Sequence, residues 1–152
     1  MDDTVAGQSS EDEVSWLQQQ RAGVIAYLNK EGVKHGEVGS GPAWHVYPYL
    51  AIFAIESVIA PDMVGWWVIS GDVPTDYVSS KGAEHPRDAM RLFASRWAAI
   101  STDMLRGEAH SGFVIGTADQ RPHLGALLHR RAQLLGQWAD DDSVWNDGSN
   151  ID

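Results

Sequence analysis

The chain has no cysteine. That absence excludes disulfide frameworks, zinc ribbons, iron–sulfur clusters and thiol nucleophiles together. Long hydrophobic runs are missing as well. The longest strictly apolar stretch, Leu50 to Ile55, falls far short of the roughly 20 residues that span a bilayer. Met1-Asp2-Asp3 offers neither the basic nor the apolar region of a signal peptide. The expectation is a soluble, cytoplasmic protein without membrane contact.

Other signatures are absent too. The histidines at 35, 45, 85, 110, 123 and 129 show no His-x-x-x-His or His-Glu-x-x-His spacing, and His123 and His129 fall on different helix faces. No metal and no cofactor is therefore expected. No serine sits in a Gly-x-Ser-x-Gly elbow, which disfavours hydrolases of the common types. The glycine-rich stretch Gly36 to Pro42 lacks the Gly-x-x-x-x-Gly-Lys pattern of a phosphate loop.

Basic residues are few. There are 11 against 21 acidic ones, for a net charge of −10. No stretch interleaves several of them with aromatics, so nucleic acid is not an expected partner. The acidity is concentrated at the ends. Asp2, Asp3, Glu11, Asp12 and Glu13 precede a neutral middle, and Asp140, Asp141, Asp142, Asp147 and Asp152 follow it. Such blocks act first as solvated handles.

What is present fits one domain, since the chain has 152 residues. The reading places a flexible acidic tail at 1–9, a single globular domain at 10–140 and an acidic tail at 141–152. Ser10-Glu11-Asp12-Glu13 reads as a capping box opening a helix to about Lys30, stopped at Gly32. Val14, Leu17, Val24, Ile25 and Leu28 supply its stripe. Tyr49–Val58 suits a buried strand or a buried helix. The short β-type run Gly65–Ser70 that follows a turn favours strand, and hence an antiparallel hairpin. Both of its faces are apolar, so cover on both sides or a homodimer contact is expected. Gly71 to Glu84 reads as a polar loop. Pro86 opens a second helix with a stripe of Ala89, Phe93, Trp97, Ile100 and Met104. Phe113-Val114-Ile115 is a short apolar island. Pro122 opens a last helix to about Asp140, whose terminal aspartates face the unfavourable end of the helix dipole and are expected to fray. Trp145, an indole in a polar tail, is expected to dock. The fold class is α+β and helix-rich: N-terminal helix, antiparallel β-hairpin, two C-terminal helices.

Gly65-Trp66-Trp67-Val68-Ile69-Ser70-Gly71-Asp72-Val73-Pro74-Thr75-Asp76-Tyr77, with His85-Pro86-Arg87-Asp88-Ala89 after it, resembles a family of small bacterial proteins known as a domain of unknown function. That family has a Trp-rich strand, a Gly-Asp-Leu-Pro-Thr-Asp-Tyr motif and a His-Pro-Arg helix start. Val73 stands here where leucine is usual. The likeness extends from the first helix to Trp145. It implies a bacterial source and brings no activity.

Two segments can carry chemistry. In the first, Asp72, Thr75, Asp76 and Tyr77 precede His85 and Arg87. Asp76 and His85 can form a carboxylate–imidazole pair, and Arg87 with the helix-start amides can receive an anion. The same residues can equally serve their own turns, with Arg87 paired to one of the aspartates. The second is the aromatic entry Trp44 to Tyr49 with Glu56 beyond it. Glu56 interrupts an apolar run, so it is expected to be buried and paired, with Arg87 or Arg91, or to line a pocket. Two functions follow. One is a non-catalytic binding or interaction domain, accessory or regulatory. Ligand contacts would come from Asp72, Thr75, Tyr77, Arg87, Trp44 and Tyr49, and the partner would be a protein or a small anionic ligand. The other is an enzyme using Asp76, His85 and Glu56 for acid–base chemistry, with Arg87 as anion clamp.

Overall fold

The first helix, α1, runs over Asp2–Glu31 in the computed structural model, which describes residues 2–106, 108 and 119–145. Ser10 to Glu13 therefore lies inside α1 and does not open it. No proline precedes it to break the helix earlier. The stop falls as expected. Gly32 takes φ 71, its N–H donates to the Asn29 carbonyl (3.2 Å), and the Val33 N–H donates to the Leu28 carbonyl (3.1 Å). These two bonds make a Schellman closure, which glycine alone forms without steric cost.

The chain divides into two compact units, Met1–Pro86 and Arg87–Asp152. Beside α1, the first unit holds a four-stranded sheet: β1 (Trp44–Val46), β2 (Leu50–Glu56), β3 (Val64–Gly71) and β4 (Asp76–Ser79), in the order β1-β2-β3-β4. All neighbours are antiparallel. Residues 49–58 thus contain a strand, and the β2–β3 hairpin is the one the sequence predicts. The flanking strands β1 and β4 are additions. Most of the supposed loop Gly71–Glu84 surrounds β4, whose backbone pairs with β3 from Ile69↔Asp76 to Trp66↔Ser79.

Alternation divides the sheet into two faces. Ala51, Phe53, Ile55 and Val68 pack with Val24 and Leu28 of α1 and with Val38, and Trp16, Trp66 and Tyr77 border that cluster. Val14, by contrast, is exposed. Leu50, Ile52, Trp67 and Ile69 lie on the opposite face and are also buried. The Trp67 indole there donates to the Ala83 carbonyl (2.8 Å), tying down the chain beyond β4. The glycine-rich segment runs along β2: Val38 bridges Ile55, and Arg21 of α1 donates to the carbonyls of Gly39 (2.9 Å) and Val38 (3.1 Å). Its work is structural.

The second unit holds α2 (Pro86–Leu105), α3 (Arg121–Asp140) and the short α4 (Asp142–Trp145). The whole expected stripe of α2 is buried. Gly125 lets α3 approach α2 closely, since a Cβ there would stand 2.8 Å from the Met104 Cβ and 3.0 Å from the Leu105 nitrogen. The end of α3 is held where fraying is expected from its charge. Arg87 Nε donates to the Ala139 carbonyl (2.6 Å) and Arg87 Nη2 to Asp142 (2.7 Å). Arg91 donates to the same carbonyl (3.3 Å) and lies 3.9 Å from Asp140. Two guanidinium groups offset the aspartates at the negative end of the helix dipole. Trp145 docks on its own unit: it is buried, and its indole donates to the Trp138 carbonyl (2.8 Å). The Phe113–Ile115 island and residues 146–152 lie outside the described residues.

Candidate functional site

The Asp72–Tyr77 segment leads into β4, whose side chains alternate between the two faces of the sheet. Asp72 is exposed, and its N–H donates to the Tyr49 carbonyl (2.7 Å), which brings Tyr49 and Asp72 together at the start of β2. Tyr49 is itself exposed, and Trp44 is half-buried on β1 opposite Ile52. Thr75 is half-buried. Asp76 is buried on the Trp67 face, with one carboxylate oxygen accepting the Tyr77 N–H (2.9 Å). Tyr77, next along the strand, faces the other side. Its ring meets Trp66 edge-on at 5.5 Å and Tyr27 at 6.0 Å. His85 lies exposed just before α2. Arg87 belongs to the second unit, where its guanidinium pairs with Asp142.

Glu56 has a role the sequence does not reveal. No arginine meets it, and Arg91 pairs within its own unit with Asp88 at 3.6 Å. Instead its two oxygens accept the backbone N–H groups of Asp62 (2.9 Å) and Glu37 (3.1 Å). Those bonds, Asp62 first, hold the carboxyl below its ordinary value. Glu56 thus fastens the β2–β3 turn to the glycine-rich segment. Asp76 lies two strands away, level with Ile52 through Ile69. That leaves it about 13 Å from Glu56 along the strands and about 10 Å across them. The two carboxylates cannot share one reacting group.

A carboxylate–imidazole pair forms between α1 and β1. His45 Nε2 lies 2.7 Å from Glu13 Oε2, both half-exposed. Trp16 covers it, 6.3 Å from the His45 ring and 5.5 Å from Tyr47. The cluster clasps α1 to β1.

A concavity of the first unit lies at the opposite end of β2 from Asp72. A cleft of about 770 Å³ opens between the end of α1, the β2–β3 turn, Trp66 and the end of β4. Trp66 and Tyr77 line it as a half-buried aromatic pair. The turn supplies Val58, Ile59 and Met63, with Ile59 94% exposed and Met63 63%. Three large apolar side chains are thus left to solvent in one turn. Lys34 and Lys81 also line the cleft. The sequence reading finds Tyr77 alone of these. Ala60-Pro61-Asp62-Met63 carries turn chemistry, and the available signal was Val58, Ile59 and Met63 flanking a turn that solvent would otherwise make polar.

Among the described residues, no three His, Asp or Glu side chains stand close enough to hold a metal ion. No described helix is long and apolar enough to cross a membrane. A family model described as Domain of unknown function (DUF4826) matches residues 10–145. No curated protein and no solved structure matches the chain.

Proposed function

The chain belongs to the DUF4826 family, whose description assigns no role, and we propose from its own geometry that it is a non-catalytic binding domain. Its recognition site is the cleft beside the β2–β3 turn. The observation that carries this reading is the coincidence of a ligand-sized concavity, an aromatic pair and a turn of exposed apolar side chains. The acid–base alternative has less support, because Glu56 is fixed by two amides and stands across the sheet from Asp76. An accessory or regulatory role in a bacterial cytoplasm goes with the proposal, as the resemblance and composition suggest.

Amide NMR with a small-molecule fragment set tests it. Binding fragments are expected to shift residues 57–65 and 79–81. Shifts confined to Trp44–Tyr49 and Asp72, or no binding at all, would overturn the cleft as the site. The expected homodimer is the competing occupant of this surface, with the exposed Ile59 and Met63 as its contact. Light scattering of the wild type and Ile59→Asp decides it: a dimer dissociated by the substitution supports the contact, and a monomeric wild type removes it.

A further inference from the structure

The cleft carries a charge signal as well as a shape. In a chain of net charge −10, only three residues are lysines: Lys30, Lys34 and Lys81. Two of them line this cleft, and Glu31 is the one carboxylate that does. Lys34 follows the stop of α1 and Lys81 follows β4, so the two ammonium groups arrive from separate elements. Among the described residues, neither has a carboxylate within ion-pair distance. Arg87 and Arg91 of the second unit differ, being engaged with Asp142, Asp88 and Asp140. Unpaired positive charge beside an apolar wall attracts an anion more strongly than the same charge in open water, because the wall excludes the screening solvent.

We propose that the cleft binds a small amphipathic carboxylate. Its apolar body lies on Trp66, Tyr77 and the Val58–Met63 turn, and its carboxylate is held by Lys34 and Lys81. The size agrees, since about 770 Å³ falls among the volumes of small-molecule sites, roughly 300–1,000 Å³. An acid with a flexible chain or one ring system fills such a space, and a folded protein partner does not. The assignment rests on the cleft being the binding site and adds the chemistry of the ligand.

Calorimetry on the full chain with decanoate, 1-decanol and decylamine tests both layers, with amide NMR locating each probe. Decanoate is expected to bind at the cleft, with decylamine weaker by at least about tenfold. The double variant Lys34→Gln/Lys81→Gln is expected to lose about tenfold in decanoate affinity while 1-decanol binds as before. Both lysines are exposed and unpaired, so the variant should keep the wild-type melting temperature, which is measured alongside. Salt gives a second readout needing no variant, because decanoate binding should weaken with ionic strength and 1-decanol binding should not. If all three probes bind the cleft equally and salt has no effect, the carboxylate assignment falls and the cleft remains a site. If none binds there, the cleft reading falls too. If the chain is dimeric through Ile59 and Met63 and excludes decanoate, a second copy is the occupant.

Discussion

Replacing Gly71 by alanine should be among the most damaging single-methyl changes available to the first unit. Gly71 sits at φ 127, and a Cβ there would stand 2.3 Å from the Tyr49 carbonyl oxygen and 2.9 Å from the Leu50 Cα. Both atoms are backbone, so no side chain can swing aside. The close approach is held from two sides, by the Leu50↔Gly71 register and by the Asp72 N–H to Tyr49 carbonyl bond of 2.7 Å. The glycine-only conformation costs about 1–3 kcal/mol for alanine. Parting the strands forfeits one or two backbone bonds at about 1 kcal/mol each. The unfolded chain loses some entropy with alanine, which returns about 0.4–1 kcal/mol. The net loss is about 3 kcal/mol. Gly82 is the control, with φ 82 and nothing within 4 Å of a built Cβ. Alanine there meets only the left-handed penalty, a net of about 1 kcal/mol. Urea unfolding followed by tryptophan fluorescence separates the two. With a slope of about 2 kcal/mol/M, Gly71→Ala lowers the midpoint by about 1.5 M and Gly82→Ala by about 0.5 M. Equal midpoints for the two variants would refute the steric argument.

Glu56 accepts two backbone N–H bonds that hold its carboxyl below the ordinary value of 4.5. A depressed folded-state value contributes stability above pH 4.5 that is lost as pH falls through the folded value. The urea-midpoint gap between wild type and Glu56→Gln should therefore shrink on acidification through that window, and a gap independent of pH would refute the assignment. Arg87→Met removes the bonds to the Ala139 carbonyl and to Asp142. With Asp142 mostly exposed, the expected loss is about 1–2 kcal/mol, with a red shift in Trp145 emission if α4 loosens, and an unchanged midpoint and spectrum would count against the clasp. The Glu13–His45 pair is half-exposed, so a double-mutant cycle should give a coupling below about 1 kcal/mol. A larger value would give this pair more than a clasping role.

The sequence shows the elements with long periodicity and hides those without it. α2 is readable because five apolar residues recur on one stripe, and all five are buried. The β2–β3 hairpin is readable because two β-type runs flank a turn. β1 and β4 are three and four residues long, too short for alternation to register, and Asp76 and Ser79 are residues that elsewhere make turns. Their strand state comes from pairing with neighbours already in place. The start of α1 is misjudged for a related reason: a good capping pattern at Ser10 is only a local preference, and a helix passes through it. Glu56 shows the limit for the site. A carboxylate within an apolar run signals an unusual partner, but the partner proved to be two backbone amides, which leave no trace in side-chain identity.

The recognisable motif and the proposed site also prove to be largely different sets of residues. Gly71 permits a close backbone approach, Asp72 donates its amide to Tyr49, and Asp76 is buried on one face while Tyr77 lies on the other. The first two set β3 against the start of β2, and the alternation of Asp76 and Tyr77 sets β4 beside β3. Arg87, in the helix-start half of the motif, holds the end of α3. The cleft takes Gly65, Trp66 and Tyr77 from the motif and everything else from outside it, including Lys34 after α1, Ile59 and Met63 in the turn, and Lys81 after β4. A change in the turn can then alter what is bound without disturbing the sheet, because Ile59 and Met63 are exposed and contribute little to the core. Changes at Gly71 or Asp76 act on the scaffold first and reach the cleft through Trp66 on β3 and Tyr77 on β4.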